Sequence, residues 1–253
     1  MTARIEMLCH YPVKGLSAQQ LDHVTLATGQ GFPLDRAFGF ARPGSGFDPQ
    51  NPKPLPKGKF VVLARDAALA RLVTRFDEDT QMLHIADEAF DTQSPEGRDA
   101  AAACIAQHLD YPPDMQPTLQ SAGPHKFTDV SVVSEKMMNA VSLINIDSVA
   151  EFARAVGMDI SPARFRANIL FSGTAPFDEL NWEAREVAIG EARLRVLLRT
   201  QRCPATEVNL ETGARDIDLP RALQQRYGHK DMGVYAEVSQ GGRIAPGDTL
   251  ELL

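Results

Sequence analysis

The stretch Val187-Ala188-Ile189-Gly190-Glu191-Ala192-Arg193-Leu194-Arg195-Val196-Leu197-Leu198 decides the class of this fold. Apolar residues recur at a period of two on either side of Ile189-Gly190-Glu191, which predicts two strands paired across a tight turn. Toward the carboxy terminus, Val234–Val238 and Thr249–Leu252 read as further short strands, separated by turns at Gly241-Gly242 and Pro246-Gly247-Asp248. Toward the amino terminus the order is strand (Val141–Ile146), helix (Ser148–Val156, capped by Asp147 or Ser148) and strand (Phe165–Phe171). Near the start, Ile5, Met7 and Cys9 alternate as in a strand, and His23–Ala27, Arg36–Phe40, Lys59–Ala64 and Met82–Ile85 are further strand candidates. Leu69, Leu72, Val73 and Phe76 sit at helical spacing and predict a short helix, and the alanine-rich Pro95–Leu109 a longer one. Residues 42–58 hold five prolines and three glycines, a composition that suits neither helix nor sheet interior, and predict a long surface loop to which no role is assigned. Many short strands with few helices favour a barrel-like or sandwich β architecture with helices outside it.

The composition narrows the function. With 253 residues, 43% hydrophobic and 23% charged, the chain is long enough for a full core without disulfides. A net charge of -7 argues against a nucleic-acid or anionic-membrane surface, because such binders need a positive excess to displace counterions. The first 16 residues hold a single arginine and too short an apolar run for a signal peptide, and no stretch approaches a membrane span. Three separated cysteines fit a reducing compartment, so a cytoplasmic location is expected; they are too few for a four-cysteine iron–sulfur cluster. The six histidines show no zinc-binding spacing.

The most suggestive local sequence is Arg199-Thr200-Gln201-Arg202-Cys203-Pro204-Ala205-Thr206, which places a thiol at a strand end beside arginines. Nearby cations favour thiolate, the form that binds soft metals, although an isolated cysteine is more often a small core residue. Cys9 and Cys104 lie among apolar neighbours and read as core.

Several motifs together resemble the MOSC domain with its amino-terminal β-barrel companion, as in the carboxy-terminal regions of molybdenum cofactor sulfurases and in amidoxime-reducing proteins. They are Tyr11-Pro12-Val13-Lys14, Arg164-Phe165-Arg166-Ala167-Asn168-Ile169, Phe177-Asp178-Glu179 with Trp182, Ile189-Gly190 and Arg202-Cys203. The resemblance implies an α+β, mainly β fold: a MOSC-type barrel core with peripheral helices over residues 93–253, and a smaller barrel-like subdomain over 1–92. It also implies a molybdenum-molybdopterin cofactor, with Cys203 as catalytic residue and metal ligand, and with Lys14, Arg36, Ser148, Arg166, Asn168 and Arg202 binding the cofactor. A lysine point charge and an arginine fork both suit a phosphate, and a pterin that brings two sulfurs of its own needs only one from the protein. The same residues have ordinary uses: Lys14 in a turn, Arg36 and Arg166 in ion pairs, Ser148 as a helix cap, Asn168 on backbone groups. This chain departs from its relatives at Gly15, where they commonly have serine, at Ala167 for proline, and at Thr200 for a cysteine in some members.

The function implied is reduction of small N-hydroxylated compounds with electrons from a separate ferredoxin-like protein or reductase, since no flavin or iron–sulfur signature is present. A sulfur carrier with a persulfide on Cys203, and a non-catalytic cofactor carrier, are the alternatives. A cysteine hydrolase lacks an identifiable base.

Overall fold

The computed structural model describes residues 3–253; positions 1 and 2 of the expected amino-terminal subdomain lie outside them. Seven strands form the core: β1 (Ala3–His10), β2 (Val141–Asn145), β3 (Ile169–Ser172), β4 (Glu186–Ile189), β5 (Ala192–Gln201), β6 (Asp231–Gln240) and β7 (Thr249–Leu252). Their spatial order is β3-β2-β6-β5-β4-β7-β1, and β1 pairs back onto β3, so the sheet closes into a barrel. β2 and β3 run parallel, which requires a crossover; the amphipathic helix Ile146–Val156 supplies it. The predicted hairpin is observed as β4 and β5, with Ile189 opposite Ala192.

Alternation along β5 sends Ala192, Leu194 and Val196 into the barrel, where Trp182 stacks on Phe171 at 5.4 Å between ring centroids. The β5–β6 register slips near Val196/Leu198 and again near Arg199/Gln201. Bulges of this kind bend a strand, and here they turn the end of β5 toward the segment that carries Cys203.

Four α-helices lie outside the barrel: α1 (Pro95–His108), α2 (Glu135–Met138), α3 (Ile146–Val156) and α4 (Leu219–Tyr227). Ser94 caps α1 by accepting from the Gly97 amide, with Pro95 in the first turn. α3 is capped by Asn145, two or three residues before the expected caps, and ends at Gly157 in the left-handed conformation. α3 and α4 share an outer core of Val149, Phe152, Leu219 and Leu223.

The pieces expected to build the smaller subdomain form a three-stranded sheet (Thr74–Asp77, Met82–Ile85, Glu88–Asp91) and short ribbons, packed with α1 around a second core that includes Val13, Phe38, Leu63 and Phe76. Contacts cross the expected 92/93 boundary both ways: β1 belongs to the barrel, and α1 packs on the three-stranded sheet. Phe60–Leu63 is buried as a strand would be but pairs through the single Ala41–Phe60 bridge. The expected helix over Leu69–Phe76 is instead a 3-10 turn, Ala67–Arg71, followed by a strand. No described helix is long and apolar enough to cross a membrane.

Candidate functional site

A cleft of about 450 Å³ opens between the barrel and the second core, and Cys203 lines it. Seven cationic side chains and two carboxylates line it too, so it is locally positive in a chain of net charge -7. The structure brings Lys14, Arg36, Arg166, Asn168, Arg202 and Cys203 together here.

Tyr11, just after β1, is the platform of the site. Its buried ring carries the Arg36 guanidinium at 4.4 Å and that of Arg166 at 4.3 Å. Arg36 and Arg166 both adopt left-handed backbone conformations, with φ of 51° and 54°, and Arg36 Nη2 donates to the Arg166 carbonyl at 3.1 Å. Arg36 also has an acid, Asp35, at 2.5 Å. Burial works against charge on Arg36, but Asp35 outweighs it and raises the guanidinium above its ordinary range. Arg166 has no such partner: Nη1 donates to the Leu16 carbonyl at 2.6 Å, while Nη2 is buried with no hydrogen-bond partner. Burial, and then the neighbouring Arg36, push Arg166 down to about 10, so it stays charged at neutral pH.

Lys14 is buried and donates to the Phe127 carbonyl at 2.7 Å and to Asp129. Gly15 follows it with φ of +85°, and a Cβ there would lie 2.9 Å from the Val61 carbonyl oxygen and 3.0 Å from Val62 Cα. The serine of related enzymes is therefore incompatible with this backbone. We expect Gly15→Ser to destabilise the protein by about 2 kcal/mol or more, read as a lower urea midpoint.

Asn168 spends its amide on the scaffold: Oδ1 accepts from Ser142 Oγ at 2.8 Å and from the Ser142 amide at 3.1 Å, and Nδ2 donates to the Cys9 carbonyl at 3.2 Å. It thereby ties β1, β2 and β3 together. Arg202 likewise donates to main chain, to Met232 at 2.8 Å and to Phe165 at 2.9 Å, and burial brings it down to about 10. Its clamp on strand β6 holds the turn after β5. At that turn the Cys203 carbonyl accepts from the Thr206 amide at 3.0 Å and from its hydroxyl at 2.9 Å. The turn thus hangs on the Cys203 backbone. Thr200 Oγ1, also in the cleft, is buried without a partner.

Ser148 is not brought to the cleft. It sits fully buried on α3 and donates to both oxygens of Glu179, at 2.9 and 3.0 Å. Burial lifts Glu179 to about 7 in spite of those bonds. A carboxyl raised in the fold contributes stability that is complete below its ordinary 4.5 and is lost as pH rises through about 7. We therefore expect Glu179→Gln to flatten a decline in stability of roughly 3 kcal/mol over that window, measured by denaturation at successive pH values.

Lys57 was not anticipated. It lies at the end of the proline-rich loop, 3.8 Å from Asp129, and lines the cleft next to Cys203. Burial opposes its charge, but Cys203 and Asp129 outweigh it and hold the ammonium above its ordinary range. Asp129 and Tyr235 also entered without a local sequence signal, because loops distant in the chain deliver them; Tyr11 was legible within its motif.

Among the described residues no group of three or more His, Cys, Asp or Glu side chains converges, so a metal here would have to bring most of its own ligands. The donors present fit a group of that kind that is also anionic: one soft sulfur, a guanidinium with one buried nitrogen left unpartnered and a buried hydroxyl without a partner. A family model for the MOSC domain matches residues 123–251. The chain belongs to the MOSC domain family. This MOSC protein is 39% identical over 74 residues to the molybdenum cofactor sulfurase of Bos taurus, a match covering 29% of this chain and 8% of that protein. It is 24% identical over 181 residues to mitochondrial amidoxime-reducing component 1 of Homo sapiens, covering 62% of this chain and 53% of that one. The match thus spans about half, or far less, of these relatives' own lengths. Among solved structures, the YUAD protein from Bacillus subtilis superposes with a TM-score of 0.47 at 16% identity, over 100% of this chain and 96% of that one.

Proposed function

We propose that this MOSC protein is an oxidoreductase that holds molybdenum-molybdopterin in the cleft and reduces small N-hydroxylated compounds with electrons from a separate protein. The observation that carries this reading is the Arg166 guanidinium, buried and charged in the same cleft as Cys203, with one arm unpaired and no acid beside it. A buried cation that has no ion-pair partner, with Asp35 and Asp129 acting only at longer range, carries a cost that an anionic ligand offsets. The names of the relatives support the choice of ligand.

In this reading Cys203 gives the metal its one protein sulfur, and Lys14, Arg36 and Arg166 hold the phosphate. Asn168 and Arg202 act through the scaffold, fixing the strands and the turn from which those groups project. The bound cofactor supplies the two-electron redox centre for N–O bond cleavage. Overall, an N-hydroxy compound, two electrons and two protons give the reduced nitrogen compound and water. Lys57, held as an ammonium, keeps an N–H donor beside Cys203 rather than serving as a base. Ser148 takes a positioning role through Glu179.

A sulfur carrier with a persulfide on Cys203 is the second reading, favoured by the cationic side chain of Lys57 next to this thiol. The deciding experiment is molybdenum content and released-pterin fluorescence of protein made in a cofactor-producing host, together with benzamidoxime reduction driven by reduced methyl viologen. Near-stoichiometric metal with turnover is expected. Folded protein with neither metal nor pterin overturns the proposal, and a persulfide mass on Cys203 would then establish the second reading.

A further inference from the structure

Lys57, at the end of the loop at residues 42–58, and residues 62–64 after it line the cleft, and the charge of this stretch is unlike that of the rest of the chain. Between Arg42 and Arg65 lie five cationic residues and one carboxylate, Asp48, in a protein of net charge -7. Arg42 is engaged by Asp66 at 2.5 Å, and Lys57 turns toward Asp129 and Cys203. Lys53, Lys59 and Arg65 are exposed and form no salt bridge among the described residues. Nothing in the proposed chemistry uses them.

This basic rim is rigid. Its ends are fastened by the Arg42 amide on the Lys59 carbonyl at 2.9 Å and by Arg42 Nε on the Phe60 carbonyl at 3.1 Å. Phe47, midway along the loop, packs against Phe127 and Phe60 with centroids 5.0 and 6.0 Å apart. Arg65 Nη1 donates to the Gly58 carbonyl at 3.2 Å, which keeps that guanidinium beside the Lys57–Lys59 turn. A surface held this way loses little freedom when a partner docks. Along the cleft mouth the segment after Asp129 adds an apolar edge: Val133 lines the cleft and is 68% exposed, and Val132 is 51% exposed. In a small, transient interface the two valines would supply apolar contact and the unpaired cations the attraction to an acidic partner.

We infer that this rim, Lys53, Lys59 and Arg65 with Val132 and Val133, is the docking surface for an acidic single-electron carrier protein. The inference rests on the proposed reduction, which needs two electrons from outside the chain. Two reduced carriers, docking in turn, each give up one electron and leave oxidised; with two protons from solvent these convert the N-hydroxy compound to its reduced form and water. Electron transfer weakens steeply with distance, and the rim belongs to the loop whose Lys57 reaches Cys203, so a carrier seated here approaches the reacting centre by the cleft mouth. Opposite charge speeds such an encounter and makes it sensitive to salt.

The test uses the full-length, metal-loaded protein and an acidic plant-type two-iron ferredoxin as probe, with K53E/K59E as the variant and R226E, on exposed α4, as the control reversal. Binding is measured by calorimetry at low and high ionic strength, and turnover with either ferredoxin or reduced methyl viologen. The expected result is salt-sensitive binding by wild type, weakened roughly tenfold or more in K53E/K59E with a matching rise in KM for ferredoxin. The viologen-driven rate is unchanged in both variants, and R226E binds as wild type. Intact viologen turnover with unchanged ferredoxin binding in K53E/K59E overturns the docking inference alone. No affinity for ferredoxin, with salt-sensitive retention on phosphatidylserine vesicles instead, overturns it equally. Absence of viologen-driven turnover in the loaded wild type overturns the proposed reaction, and the inference with it.

Discussion

Cys203→Ser protein is expected to emerge from a cofactor-producing host without molybdenum and to leave benzamidoxime untouched, while melting as wild type does. Serine keeps the size of the side chain and replaces a soft sulfur donor by a hard hydroxyl that stays protonated at neutral pH. The loss should exceed the roughly 10–100-fold that removal of an outer partner of a metal ligand costs, because the ligand itself is removed. The fold survives because the turn after β5 hangs on the Cys203 carbonyl, which accepts both Thr206 donors, and not on its sulfur. Metal analysis and thermal melting on the same preparation check both halves. Full metal content in the serine protein would remove Cys203 as ligand.

Arg166→Met should separate binding from stability. Methionine keeps an apolar chain in place of the guanidinium that lies on Tyr11 and removes a charge that has no ion-pair partner, so the cofactor-free variant should melt no lower than wild type. Affinity for the anionic cofactor should fall by about 3 kcal/mol, roughly two orders of magnitude, as expected for the loss of a charged hydrogen-bond donor. Pterin retained after dialysis, set against the melting temperature of the cofactor-free protein, gives both numbers. A variant that loses stability as well would show that Arg166 is chiefly a strut between the Leu16 carbonyl and the Tyr11 ring.

The parts of the fold legible in the sequence are those where a strand has one face in the barrel and the other in solvent. In β5, Ala192, Leu194 and Val196 are buried while Arg193 and Arg195 are exposed, and that alternation is written in the residue types. The spacing of Leu69, Leu72, Val73 and Phe76 misled because it fits a helix face, yet Val73 is 75% exposed and the chain leaves the turn at Arg71 to enter a strand. Phe60–Leu63 has strand-like residues but meets a neighbouring strand only at the Ala41–Phe60 bridge, and the extent of such pairing is a tertiary fact. The short, polar helix α4 has no clear signal in the sequence because six of its nine residues are Arg, Gln, Tyr or Pro, which leaves a thin apolar stripe.

The candidate site was legible where motifs lie next to the strands: Lys14 after β1, Arg166 and Asn168 before β3, Cys203 after β5. Ser148 was expected at the cofactor only from the family resemblance, and it bonds to Glu179 instead. Lys57 had no readable signal, since its approach to the cleft depends on the fastening of Arg42 to Lys59 and Phe60 across the loop. Contacts of this type join residues through folding, and no period or spacing in the chain encodes them.

The barrel is sealed by β1, which lies between β3 and β7 and pairs Leu8 with Ile169 and Ala3 with Leu250. On the ribosome, then, β1 is made long before β7 and waits for it before it has both neighbours. Until Thr249–Leu252 has emerged, the nascent chain carries an open sheet edge on each side of the seam, where another chain could pair. Synthesis order and assembly order are opposed in this molecule, and the interval between them is when a holdase chaperone would matter most.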